Sequence, residues 1–375
     1  MKILKTFIKR VVALFPLKNV IIFESIPDLS DNTKAVFDEM VKRGLNKKYR
    51  LVWLINNKRT KIPKLKNVVG ARYNTKWNRF CANFIIYRAK CIICCNRFLE
   101  KANANQKIFY LMHGLPIKKV KDYYTIPNFV DFCIAPSEGV IDRLAVEFAF
   151  DKSKIIGLGY PRNDDFNKQI NIQKLLNAQG EKVIVWYPTF RQHKKGMKTA
   201  AVNAIPIIYD ETKAKHLNMI AQKNNVLIII KPHFAQDLSK ITKLNLSNIR
   251  FIDDLFLSIN NISSYQFVGS CDALITDYSS IYYDFTLCDK PVAAIWEDIE
   301  EYRKNPGLIE DYEFWMQGAE KIYTVEDFER FIIRVAYDND DIKNLRSEIK
   351  TLTNYSIDGK NTERVVNFIL DNVSL

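Results

Sequence analysis

Asp277-Tyr278-Ser279-Ser280 follows the apolar run Cys271 to Thr276 and precedes Ile281-Tyr282-Tyr283-Asp284-Phe285, so two hydroxyls arrive where a buried strand gives way to a helix. A helix start offers free backbone N–H groups and partial positive charge, which suits phosphate oxygens. A lone Asp-x-Ser-Ser is more often an ordinary N-cap. Three further segments change that balance: His113-Gly114-Leu115-Pro116-Ile117-Lys118, Tyr187-Pro188-Thr189-Phe190-Arg191 and Lys231-Pro232-His233. Each follows an apolar run of strand length, at Lys107 to Met112, Val183 to Trp186 and Val226 to Ile230. In open α/β sheets ligands bind beyond the carboxyl ends of the strands, so these polar residues are expected to converge on one cleft.

Positioning them takes a substantial scaffold. The 375 residues suit two domains, and the 47% apolar fraction is that of a globular protein. From residue 19 strand-like and helical stretches alternate: Val20 to Glu24, Thr33 to Arg43, Leu51 to Ile55, Lys76 to Arg88, Cys91 to Cys95, the strand before His113, Phe132 to Ala135 and Glu138 to Phe148. This alternation predicts a parallel sheet. Gly157-Leu158-Gly159-Tyr160-Pro161-Arg162-Asn163-Asp164 reads as a break. A second series follows, with strands at Val183 to Trp186, Val226 to Ile230, Arg250 to Ile252, Ala273 to Thr276 and Val292 to Ile295, then helices near Val325 to Tyr337, Ile342 to Leu352 and Asn361 to Leu370. The expected division is 1–18, a basic amphipathic helix; 19–165, the first domain; and 166–375, the second, with closing helices.

The net charge is +14, and residues 1–66 carry sixteen Lys/Arg against five Asp/Glu. Such a field favours anionic partners without choosing among them. In the first residues Ile3, Leu4, Phe7, Ile8, Val11, Val12, Leu14 and Phe15 recur at helical spacing, with Lys2, Lys5, Lys9 and Arg10 largely elsewhere on the helix. A helix of this kind lies in a membrane interface or packs on its own core. Lysines interrupt the run and no cleavage site follows, so it is not a signal peptide, and no stretch is long enough to span a bilayer. Seven cysteines without a second ligand pair at matching spacing read as reduced, mostly core residues rather than a zinc site. Asp338-Asn339-Asp340-Asp341 contains Asp-x-Asp, a metal-holding spacing in some transferases, but its position between helices reads as a capped, solvated turn. His193 and His216 carry no motif and read as surface residues.

Taken together and in this order, His113-Gly114-x-Pro116-x-Lys118, Gly159-Tyr160-Pro161-Arg162-Asn163-Asp164, Pro188-Thr189-Phe190-Arg191, Lys231-Pro232-His233 and Leu274 to Ser280 resemble the CDP-glycerol glycerophosphotransferase family of teichoic acid synthesis. The resemblance covers about residues 19–300. It implies a GT-B architecture, two Rossmann-like α/β domains facing a central cleft, and transfer of a polyol phosphate from a CDP-polyol to a lipid-linked glycan with release of CMP. It implies catalytic roles for His113, as general base, and His233, at the departing pyrophosphate. Arg191, Lys231, Ser279 and Ser280 would bind the donor pyrophosphate, with Gly114, Lys118, Asp277 and Asp284 in support. No metal or other cofactor is expected. The implied partners are CDP-glycerol or a related CDP-polyol, the glycan acceptor and an anionic membrane surface met through residues 1–17, at the cytoplasmic face; nucleic acid is not expected. The residue types agree with this chemistry: phosphoryl transfer asks a protein mainly to align and neutralise, histidine accepts a proton near neutrality, and Arg grips phosphate bidentately where Lys supplies a point charge.

Leu115, Ile117 and Gln192 depart from the residues common in the family, which leaves donor polyol and acceptor open. The long extra domain that polymerising members often carry is not in this sequence, which tilts the expectation toward a primase-like enzyme; a capsule polymer enzyme fits equally. Two rivals remain at this point. A GT-B glycosyltransferase would hold sugar hydroxyls with a carboxylate such as Glu297 or Asp298, and a non-enzymatic nucleic-acid or lipid binder would use the basic N-terminal third.

Overall fold

The computed structural model describes residues 2–121, 124–189, 205–208, 210–232 and 244–373. Two compact units divide the chain: residues 1–115, 120–164 and 355–375 form one, residues 116–119 and 165–354 the other.

The first unit begins with helix α1 (Lys2–Ala13), then strand β1 (Lys18–Glu24), helix α2 (Asp31–Lys42), β2 (Arg50–Ile55), β3 (Val68–Arg72), helix α3 (Lys76–Ile86), β4 (Ala89–Cys94), β5 (Lys107–Tyr110), β6 (Phe132–Ala135) and β7 (Ile155–Gly157). All pair in parallel in the order β3-β2-β1-β4-β5-β6-β7. Central strands are buried along most of their length, as at Ile21, Ile22 and Phe23, because a parallel sheet is covered on both faces. The order reverses between β1 and β4, the switch point beside which such sheets bind ligands.

The second unit carries β8 (Lys182–Trp186), β9 (Val226–Ile230), β10 (Ile249–Phe251), β11 (Ala273–Thr276), β12 (Val292–Ile295) and β13 (Glu320–Ile322). Its parallel order, β10-β9-β8-β11-β12-β13, repeats the same doubly wound pattern and switches between β8 and β11. Helices Glu211–Lys223 and Val325–Ala336 pack against the sheet through Leu217, Ala221, Phe328 and Phe331.

One expected boundary needs correcting. The closing helix Asn361–Asn372, assigned from sequence to the second domain, buries Val365, Val366 and Ile369 in the first unit's core with Phe37, Phe109 and Ile134. The segment read as a break holds it there: both carboxylate oxygens of Asp164 accept the N–H groups of Asn361 and Thr362, at 2.9 and 2.8 Å, and cap the helix. Gly159 sits at φ +87°, and any Cβ there would meet the Asn361 side chain at 2.0 Å, so this packing requires glycine.

Five of the seven cysteines are buried, where loss of solvation raises their thiols; Cys81 is exposed and Cys288 half-buried. In α1 the side chains of residues 2–5, 7 and 8 lie outside the described residues, so the expected apolar stripe is visible only in part: Val12 is buried, while Val11, Leu14 and Phe15 are exposed. Among the described residues no helix is long and apolar enough to cross a membrane.

Candidate functional site

In the first unit the chemistry gathers beyond β4 and β5. His113 is exposed, and its Nδ1 lies 3.3 Å from the carbonyl oxygen of Cys95, the residue after β4. A carbonyl only accepts, so this contact places the proton on Nδ1 and makes Nε2 the basic nitrogen of the neutral ring. The loop around it is held open in unusual backbone conformations, Met112 at φ +53° and Gly114 at φ +142°.

Two side chains fix that loop. Asn32, fully buried in the first turn of α2, donates through Nδ2 to the carbonyls of Leu111 and Met112, both at 3.1 Å, and its Oδ1 accepts the N–H of Arg162 at 3.1 Å. Arg162 in turn donates from Nη1 to the carbonyl of His113 at 3.0 Å and pairs with Asp31 at 2.7 Å. Sequence reasoning passed over Asn32, because Ser30-Asp31-Asn32 ahead of an apolar helix looks like a cap and nothing more. Arg162 lies in the Gly159-to-Asp164 motif, whose residue types alone assign it no role.

In the second unit the Asp277 turn lies beyond β11 and meets the loop after β8, on the two sides of that sheet's switch point. Asp277, buried, accepts from the hydroxyl of Thr189, from the Thr189 N–H at 2.9 Å and from the Tyr278 N–H at 2.7 Å. Tyr278 stacks on Tyr302 with centroids 3.6 Å apart and donates to Asp298 at 3.0 Å. Ser279 and Ser280 are half-buried; Ser280 already has helical φ and ψ and makes no side-chain cap, and the Ser279 hydroxyl only reaches the Ile281 N–H at 3.5 Å. The serines therefore do little of the capping that an ordinary N-cap would do. The helix they begin, Ile281–Phe285, is short, so the site's positive character rests on the N–H groups of the turn more than on a long helix dipole. Asp284, buried, accepts from the hydroxyl of Tyr265 at 2.6 Å.

The remaining candidates scatter. Lys231, at the end of β9, pairs with Asp254 at 2.7 Å and lies 5.3 Å from the Tyr187 ring centre. The His113-to-Lys118 motif divides: Pro116 to Lys119 belongs to the second unit, where Lys118 bridges to Leu308 and its Nζ is 6.0 Å from the Tyr302 ring centre. Arg191, His193 and His233 lie outside the described residues. His216 faces Glu329 at 3.2 Å on a partly exposed surface.

Two carboxylates a sugar-transferring enzyme would have offered are engaged in the fold: Glu297 accepts the Ile207 N–H at 3.1 Å, and Asp298 holds Tyr278. The Asp-x-Asp carboxylates each meet a cation, Asp338 with Lys182 at 2.8 Å, Asp340 with the buried Arg346 and Asp341 with Arg334 at 2.5 Å.

A profile of the CDP-glycerol:poly(glycerophosphate) glycerophosphotransferases matches residues 6–371. The teichoic acid glycerol-phosphate primase of Bacillus subtilis (strain 168) is 23% identical over 269 residues, covering 68% of this chain and 61% of that protein. The teichoic acid poly(glycerol phosphate) polymerase of Bacillus spizizenii (strain ATCC 23059 / NRRL B-14472 / W23) is 26% identical over 337 residues, 81% of each. The chain thus spans about three fifths of the first relative and four fifths of the second. Among solved structures, the wall teichoic acid polymerase TagF shares the fold, with a TM-score of 0.71 at 20% identity over 99% of this chain and 96% of that one. With its match running almost from end to end, the chain belongs to the CDP-glycerol:poly(glycerophosphate) glycerophosphotransferase family.

Proposed function

We propose that this chain transfers a polyol phosphate, glycerol phosphate first among the candidates, from a CDP-polyol to a hydroxyl of a membrane lipid-linked glycan and releases CMP. The observation that carries this reading is the family match over residues 6–371. In this account the two α/β units form a GT-B pair, and the donor diphosphate rests on the amides and hydroxyls of Ser279 and Ser280. Arg191, Lys231 and His233 add positive charge or donors there, and Thr189 with Asp277 sets the turn. The acceptor oxygen attacks the phosphorus that bears the polyol; the bond to the CMP oxygen breaks, and CMP leaves with that electron pair. The acceptor proton passes to Nε2 of His113, whose Nδ1–H is held by the Cys95 carbonyl. Alignment and charge neutralisation by side chains and amides account for the rate, as a loose phosphoryl transfer requires, and no metal is assigned a role. Residues 1–17 bring the chain to the cytoplasmic face of an anionic membrane, where the acceptor resides.

The test is a donor panel. The full chain is incubated with a lipid-linked acceptor analogue and CDP-glycerol, CDP-ribitol or UDP-sugars, and nucleotide products are separated. CMP from a CDP-polyol, dependent on acceptor, is expected; UDP alone would overturn the reading.

A further inference from the structure

A cavity of about 420 Å³ opens on the first unit, away from the loops that carry His113. Its walls are Val11 and Val12 at the end of α1, Phe15 just beyond it, Lys18 and Val20 on β1, Arg50 at the start of β2, Phe84 and Ile85 on α3, and Arg88 just after α3. Among the described residues no carboxylate lines it. Arg88 is steered by its Nη2 donating to the carbonyl of Pro16 at 3.1 Å and by the Phe15 ring, 5.5 Å away. Lys18 and Arg50 are exposed. The arrangement is an apolar slot with cations around it, whose chemical complement is a molecule with a hydrocarbon tail and an anionic head.

The surface next to the slot narrows the choice to a bilayer lipid. Phe84 packs edge-on to Phe80 with centroids 5.6 Å apart, and Phe80 stacks on Trp77 at 5.4 Å, so α3 presents three aromatic rings in one continuous line. Trp77 is 70% exposed, Phe15 52% and Phe84 42%. An exposed Trp among apolar rings flanked by basic residues is the composition of a surface that sits at the headgroup level of a membrane.

From this we infer that the slot binds one anionic phospholipid of the membrane, an acyl chain between α1 and α3 and the phosphate against Arg50, Arg88 and Lys18. The inference deepens the membrane-contact part of the proposed function. It turns a helix lying on a surface into a site that extracts and holds a lipid, and it adds α3 to the contact.

Binding of dioctanoyl phosphatidylglycerol to the full chain, below its micelle concentration, is measured by calorimetry beside dioctanoyl phosphatidylcholine. The wild-type chain takes up one phosphatidylglycerol. Val11→Trp fills the slot without removing apolar surface and is expected to weaken that binding at least about tenfold, since each methylene kept in water costs about fourfold. Arg50→Glu, at an exposed position, should weaken it roughly fivefold per unit of charge and leave phosphatidylcholine nearly unchanged. Sedimentation with phosphatidylcholine vesicles, with and without phosphatidylglycerol, accompanies each variant, and circular dichroism confirms folding. Absence of stoichiometric binding by the wild-type chain, or unchanged binding by a folded Val11→Trp chain, overturns the inference. So does a slot occupied by a second copy, seen as a dimer that Val11→Trp dissociates while lipid does not bind. CMP release onto a soluble acceptor analogue is followed in parallel; its failure in the wild-type chain would sink the transferase reading and leave the lipid result standing.

Discussion

Asn32→Ala removes the carboxamide that ties α2 to the loop before His113. The side chain is fully buried and makes three hydrogen bonds, each 3.1 Å long, to Leu111 O, Met112 O and Arg162 N–H. The change leaves two buried carbonyls and one N–H without this partner, at about 1–3 kcal/mol for each group left unsatisfied, and a water entering the vacated space recovers part of that, so a net loss of roughly 2–4 kcal/mol in unfolding free energy is expected. The consequence for catalysis is separate. Met112 and Gly114 hold positive φ because the loop is clamped on both sides, and a released loop moves the imidazole. A displacement of about 1 Å in an aligned group costs on the order of a hundredfold, so kcat should fall by roughly tenfold to a hundredfold while donor affinity, which the proposed function assigns to the other unit, stays near wild type. Urea unfolding gives the first quantity, and single-turnover CMP release with a donor titration gives the second. Asn32→Asp, which keeps the acceptor for Arg162 but turns a carboxylate toward two carbonyls, should do no better than alanine. Wild-type unfolding midpoints together with a wild-type kcat in both variants would refute the clamp.

Other perturbations separate the roles. His113→Ala should lower turnover by about 10² to 10⁴ and leave CDP-polyol binding nearly intact, checked by equilibrium binding; equal loss of binding would remove its role as base. Asp277→Ala frees Thr189 and Tyr278 and should weaken donor binding, seen as a raised dissociation constant, whereas a pure loss of kcat would place the turn elsewhere in the reaction. Lys321 donates to the carbonyls of Met316 and Ala319, and burial lowers its ammonium to about 8 from an ordinary value of 10.5. Because the folded chain sheds this proton before the unfolded chain does, stability should rise with pH between those values, by roughly 3 kcal/mol at most. Comparing urea unfolding of wild type and Lys321→Met near neutrality and near pH 10 isolates the term; a pH-independent difference would rule it out.

What could be read from the sequence divides along physical lines. The long apolar strands β1, β2, β4, β8 and β9 were legible because both faces are covered, and the second sheet's switch point was legible as a motif at the end of a run. Strands β3, β7 and β13, all at sheet edges, escaped because they carry little apolar signal: Val68–Arg72 buries only Val68 and leaves Gly70 and Arg72 exposed, and the other two are three residues long. The stripe Val365, Val366 and Ile369 marked a buried face on the last helix, but a stripe does not say which sheet covers it. That choice is made by Asp164, far away in the chain. Asn32 was invisible for a related reason, since its partners are backbone groups of Leu111, Met112 and Arg162, which leave no mark in residue type.

In the proposed function His113 and the Ser279-Ser280 turn act on one diphosphate-bearing molecule. The direct measurement is a structure of the full chain with CDP-glycerol bound. The diphosphate oxygens are expected within hydrogen-bonding distance, about 3 Å, of the Ser279 and Ser280 groups, with His113 Nε2 one acceptor hydroxyl away from the glycerol-bearing phosphorus. A diphosphate seated elsewhere, or an imidazole that no acceptor hydroxyl could link to that phosphorus, would contradict it.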